Sequence, residues 1–227
     1  MKHFKINKNI LYIAILALAF CIYFITSPEE YKLNPLLMNF IYAVSISIIA
    51  ACIFYFLNIY LPEQKRKTII KQDFEEQYLY FKEECIYIFL SALRKSINPK
   101  LVRKLCDLDE FKKYFKEKCG NAQDRWDKVG TELDCNKIFL KNILVQLGIL
   151  RNEVAFILNN TEINDKYVLS FFKLLSQNVY SYRVTGINME YNERNRLLGF
   201  LWELFTGWSF SDGYRKEDIV KLMIQKI

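Results

Sequence analysis

Residues 36–61 read LLMNFIYAVSISIIAACIFYFLNIYL, a run without a single Asp, Glu, Lys or Arg that ends against Pro62. As a helix, about 26 residues rise about 39 Å, more than a hydrocarbon core of about 30 Å, so the run is long enough to cross a bilayer with tilt. A second apolar run precedes it, ILYIAILALAFCIYFIT at 10–26. Its ~17 residues rise about 25 Å, slightly short alone, and residues 4–9 extend it. The polar segment SPEEYKLNP lies between the two, and so short a connection joins only antiparallel neighbours; Pro35 falls where a first helical turn tolerates proline. The expected fold is all-α: a transmembrane hairpin over 1–62 with spans at about 10–26 and 36–61, an amphipathic juxtamembrane helix over 63–97, and a helical domain over 98–227.

Charge orients the hairpin. Lys2, Lys5 and Lys8 precede the first run, Glu29 and Glu30 sit in the connection, and Lys65, Arg66 and Lys67 follow the second. Basic residues gather on the cytosolic side, so both termini are expected there. The net charge of +7 is then mostly topogenic rather than a sign of nucleic-acid binding. Lys65, Arg66, Lys67 and Lys71 are also placed to contact anionic lipid, each worth roughly 1 kcal/mol. The first run is expected to be retained as a span: no small-x-small site follows it, and Leu18-Ala19-Phe20-Cys21 puts a bulky Phe where lipoprotein processing needs a small residue.

Small and polar residues form a stripe on each span. Ala14, Ala17 and Cys21 share one face of the first; Asn39, Ala43, Ser47, Ala50, Ala51 and Asn58 fall within about a third of the circumference of the second, with Phe54 the one large residue among them. Small residues let helices approach closely where lipid supplies no hydrophobic drive. The stripes either pack the two helices of one hairpin together, or the wider second stripe packs between subunits and lines a path in a homo-oligomer. No ionisable residue lies inside either span, which argues against a proton relay or a charge-selective filter.

Beyond Pro62, which marks the exit of the second span, Ile70, Phe74, Tyr78, Phe81, Cys85, Ile88 and Ala92 recur every three or four residues, the pattern of a long amphipathic helix, either separate from the span or joined to it by a proline bend alone. Asn98-Pro99 is a helix start and Gly120 a stop, with two short helices between. Asp134 or Asn136 opens a helix with Ile143, Leu147, Leu150, Val154 and Ile157 on one stripe. Lys141, Arg151 and Glu153 interrupt it, at roughly 2.5 to 3.5 kcal/mol each in lipid, so it belongs in a protein core. Val168, Phe171, Phe172, Leu175 and Val179 repeat the period until Gly186 breaks it. A further helix spans 192–206, and a Ser-Asp-Gly turn at 211–213 precedes a last one ending IVKLMIQKI; no alternating strand pattern of useful length occurs.

The chemistry of common enzymes is missing. The one histidine, His3, lies in the N-terminal tail, which removes Ser-His and Cys-His pairs and histidine metal sites. The seven glycines form no phosphate-binding loop, and the six cysteines form no CxxC pair, which fits a reducing compartment. Asp107, Asp109 and Glu110 are a carboxylate cluster able to hold Mg²⁺, or else the cap and first turn of a helix. Arg194 and Arg196 beside Tyr191 and Trp202 approach an RNA-binding surface, or are a solvated face over core aromatics. No enzyme activity, cofactor or small-molecule substrate is expected.

The layout of the whole chain, an apolar hairpin followed by a helical domain without chemistry of its own, resembles that of two-transmembrane effectors of bacterial antiphage systems, including those paired with retrons. That resemblance implies a multi-pass protein of the bacterial inner membrane that compromises the bilayer when infection is sensed, in the company of membrane lipids and a regulatory protein or ribonucleoprotein. The rival expectation is a passive membrane-anchored adaptor that recruits a protein through its helical domain.

Overall fold

The computed structural model describes residues 8–26, 35–94, 97–119, 123–209, 213–214 and 217–227. The chain is all-α and divides into two compact units, Met1–Arg66 and Lys67–Ile227. The connection expected at 27–34 and the N-terminal lysines Lys2 and Lys5 lie outside the described residues.

The first unit holds α1 (Lys8–Thr26) and α2 (Pro35–Tyr55). They pack side by side: Phe24 stacks on Tyr42 with ring centroids 4.6 Å apart, and Ala17, Met38 and Ser45 are buried. Ser45 satisfies its hydroxyl inside its own helix, donating to the Ile41 carbonyl at 2.9 Å. Among the described residues one helix, Leu36–Ala92, is long and apolar enough to cross a membrane; Tyr12–Thr26 is a shorter apolar stretch.

Pro62 does not end that helix. The turn before it, Phe56–Tyr60, is a π-helix in which the Leu61 N–H donates to the Phe56 carbonyl, and α3 (Leu61–Ala92) follows directly. A proline lacks the N–H that would bond the carbonyl four residues back and its ring collides with that carbonyl, here Asn58; a widened turn carries the helix past it.

The second unit is built from α3 beyond Arg66 with α4 (Pro99–Leu105), α5 (Leu108–Lys116), α6 (Arg125–Cys135), α7 (Lys137–Asn160), α8 (Lys166–Thr185), α9 (Tyr191–Thr206) and α10 (Ile219–Gln225). Most open on a side-chain cap: Asn98, Asp107, Asn136, Asp165 and Asp218 accept from first-turn N–H groups, and Asp124 forms a capping box with Asp127. A two-residue hairpin joins α9 to α10, β1 (Trp208–Ser209) pairing antiparallel with β2 (Gly213–Tyr214). It is too short to leave an alternating pattern in the sequence. Gly207 makes the turn into it with φ 65°, where a Cβ would fall 2.9 Å from the Glu217 carbonyl.

On α3 the buried stripe runs through Ile70, Phe74, Tyr78, Phe81 and Cys85 and then turns to Ile86, Phe89 and Leu90, leaving Ile88 and Ala92 half-buried. A helix of 3.6 residues per turn drifts under a three-four repeat, so over several turns the neighbours, not the repeat, choose which residue faces in. Phe89 is the centre of the core: the rings of Phe111, Phe115, Trp126 and Phe205 lie within 6.2 Å of it. Ile143, Leu147, Leu150, Val154 and Ile157 of α7 are all buried, as are Val168, Phe172, Leu175 and Val179 of α8. The Phe89→Ala variant should lose about 3 to 5 kcal/mol. In a thermal melt of the detergent-solubilised chain it should drop well below Leu174→Ala, whose side chain is exposed; equal melting temperatures would contradict this core.

Candidate functional site

Two features outside ordinary core packing stand out, one in each unit. The first is a face of α2. On α2, Met38 and Ser45 are buried and Ile41, Tyr42, Ile48, Ile49 and Cys52 are half-buried, and Tyr42 stacks on Phe24 of α1. At about 100° per residue these cluster on one side. Asn39, Ala43, Ser47, Ala50 and Ala51 lie on the opposite side and Asn58 follows in the π turn; every one is exposed. On α1, Ala17 is buried and Ala14 and Cys21 are half-buried. So α1 offers small residues to α2, and α2 answers with Met38, Ile41, Tyr42, Ile48 and Ile49 around Ser45 and Cys52; the stripe from Asn39 to Ala51 is left uncovered. Along that face Ser47 donates to the Ala43 carbonyl at 2.9 Å and the Asn58 amide to the Phe54 carbonyl at 3.1 Å, so these donors are satisfied within the helix.

The second feature joins α3 to the C-terminal helix. Lys82 is only 3% exposed, and its Nζ lies 3.0 Å from Asp218 Oδ2 and donates to the Cys106 carbonyl at 2.8 Å. The Tyr78 hydroxyl donates to the same carboxylate, 3.0 and 3.1 Å from its two oxygens. Asp218 Oδ1 also accepts from the Val220 and Lys221 N–H groups, both at 3.1 Å, capping α10. Cys106 caps the end of α4. The ammonium thus lies at the negative end of one helix and the carboxylate at the positive end of another, each where the backbone dipole favours it. At the far end of α10, Lys71 Nζ donates to the Gln225 carbonyl at 2.5 Å. The C-terminal helix is therefore tied to α3 at both ends, and Val220, Met223 and Ile224 are buried between the ties.

A cavity of about 370 Å³ borders this cluster, lined also by Gln72, Glu75, Leu79 and Lys221. Its potential nucleophiles are held protonated. Burial pushes the Tyr78 phenol well up, and the charge and hydrogen bond of Asp218 push the same way. Burial raises the Cys106 thiol to about 11, although Lys82 pulls it down in part. Cys85, fully buried, is raised by burial too. A thiol attacks only as thiolate, so burial disfavours the reactive form of Cys106.

The basic residues after Pro62 divide between surface and clamp: Lys65 and Arg66 are exposed, Lys67 and Lys71 half-buried, with Lys71 bonded to α10. Asp107 caps α5, accepting from Asp109 and Glu110 N–H at 3.0 and 3.1 Å, while Glu110 pairs with Lys104 at 2.9 Å. Among the described residues no group of three His, Cys, Asp or Glu side chains is arranged to hold a metal. Arg194 is spent inside the fold, 2.7 Å from Asp134 and donating to the Met189 carbonyl at 2.6 Å. Trp202 packs against Phe111 and Trp126. Nothing local announces Lys82: it occupies an ordinary charged position of an amphipathic helix, and its partner lies 136 residues away.

Lys82→Met strands a buried carboxylate and should cost about 3 to 5 kcal/mol, whereas Lys82→Met with Asp218→Asn, which keeps the cap, should recover most of that loss. Hydrogen exchange of the α10 amides reads the difference; single and double variants exchanging alike would refute the clamp.

No protein-family model matches the chain, and no curated protein or solved structure is significantly similar to it.

Proposed function

We propose that the chain is a membrane effector of the bacterial inner membrane. In this account α1 and α2 cross the bilayer as a two-span hairpin with both termini in the cytosol, and the second unit is a cytosolic domain. That domain keeps the hairpin inactive, through a regulatory protein or ribonucleoprotein partner, until infection or another stress releases it. Released hairpins associate through the small face of α2 and permeabilise the membrane, the kind of task carried out by two-transmembrane antiphage effectors. No catalysis is assigned to the second unit.

One observation carries this: the face of α2 suited to close helix contact, Asn39 to Asn58, is not the face that α1 covers. Small residues pack by backbone approach, which is how helices associate in lipid, so this face has the character of an interface between hairpins rather than within one. The helix Leu36–Ala92 gives a change of packing around α3 a covalent route to α2. Since α2 carries no ionisable residue, any leak would be unselective.

Expression of the wild-type chain without its partner should depolarise bacterial cells. Ala43→Leu with Ser47→Leu, which enlarges the exposed face, should abolish depolarisation without lowering the amount inserted; unchanged potential with the wild-type chain would remove the proposal.

A passive anchor is the second reading, favoured by the fact that the Ser45 and Ser47 hydroxyls find their acceptors inside their own helix and need no partner. Replacing residues 1–62 with an unrelated two-span hairpin separates the two: function retained means an adaptor, function lost means an effector.

A further inference from the structure

The outward face of α7 carries no charge along its central line, with exposed Lys141 and half-buried Glu153 at its edges. The positions spaced alternately four and three residues apart from Ile138 to Asn159 are all exposed, and none is charged. Four are large and apolar: Ile138 is 72% exposed, Val145 50%, Ile149 36% and Phe156 46%. The rest are Asn142, Asn152 and Asn159. In a chain whose residues are 25% charged, a 24-residue helix would ordinarily present Lys and Glu there. The domain's own core does not explain the face, because Ile143, Leu147, Leu150 and Val154 bury the opposite one. Loss of charge with aliphatic and aromatic residues is the composition of an interface centre, and the four-three spacing is the seam of a two-stranded coiled coil.

We infer that α7 is the contact through which two copies of this chain pair, parallel and in register. The occupant follows from the order of residues along the seam. An asparagine amide carries both donors and an acceptor, so it pairs well with another asparagine. Parallel, in-register pairing sets Asn142 opposite Asn142, Asn152 opposite Asn152 and Asn159 opposite Asn159, with every apolar residue opposite its own copy. Antiparallel pairing sets Asn142 against Phe156 and Asn152 against Val145, burying amides on hydrocarbon at a cost. At the flanks the parallel arrangement brings Lys141 beside Gln146 and Gly148 beside Glu153, so no like charges meet.

The area is that of a weak contact. The four apolar exposures amount to about two whole side chains, on the order of 300 to 400 Å² per copy, aliphatic side chains being smaller than aromatic ones. Two copies then bury on the order of 600 to 800 Å² of apolar surface, below the lower edge of stable interfaces at about 1,200 Å², so the asparagines and flanks supply the remainder. Polar residues in a seam fix register at the expense of strength, so the pair is one that opens and closes. This contact does not depend on whether α2 lies in lipid.

Cysteine cross-linking of the full chain in detergent, on a Cys135→Ser background, tests it. With a short bis-maleimide, Ile138→Cys should give a covalent dimer above the parental level, and Leu174→Cys, exposed on α8, should not. Ile149→Glu should abolish the Ile138→Cys cross-link and shift the light-scattering mass toward monomer, with an unchanged melting temperature. Absence of the Ile138→Cys dimer, its persistence in Ile149→Glu, or cross-linking only between Ile138→Cys and Asn159→Cys copies would overturn the inference.

Discussion

Apolar side chains on the outside of α2 are the constraint from which the rest of the account follows. From Leu36 to Leu61 the helix has no Asp, Glu, Lys, Arg or His, and in its most apolar stretch only 6% of residues are buried. Leu36, Phe40 and Phe54 are 80, 67 and 63% exposed. Each square ångström of such surface costs about 25 cal/mol in water, and soluble monomers seldom leave more than a few hundred Å² of it in one patch. α1 covers one side of α2 and itself exposes Leu16 and Ile25. Lipid is the surrounding that meets this demand without further protein, and additional copies of α2 meet it on the small face alone.

Character changes within one continuous helix. The π turn at Phe56–Tyr60 admits Pro62, Lys65 to Lys67 bring in charge, and from Ile70 onward the same helix buries aromatic side chains in a soluble-type core. The clamp around Lys82 ties that part of α3 to the last helix of the chain. A buried ion pair is poor as a source of stability, since desolvation offsets its attraction, but it defines a geometry that apolar contacts alone would leave loose. Here it places α10 along α3 with both ends of α10 bonded to lysines of that helix.

Much of the second unit was legible because its signals are local. The α7 stripe, the Asn98-Pro99 start, the Asp107 cap and the Gly186 stop each depend on a few neighbouring residues and the geometry of one helix. α6 has a weaker local signal, because its capping box uses Asp124 and Asp127 rather than the commoner Ser or Thr with Glu, though Trp126, Val129 and Leu133 carry its period. Two things could not be read. Which side of α2 meets α1 is invisible in a helix that is apolar all round, because no amphipathic face points the way. The partnership of Lys82 with Asp218 depends on where α10 lands, which only the assembled core decides.

Alkaline carbonate extraction of cells expressing the full chain, combined with a reporter fused behind Ile227, decides whether α1 and α2 lie in lipid. Lipid around α1 and α2 with the second unit in the cytosol predicts that the protein stays in the membrane pellet and that a cytosolic fluorescent reporter shines while a periplasmic phosphatase stays silent. Release of the protein into the supernatant, or phosphatase activity from the C-terminal fusion, would contradict it.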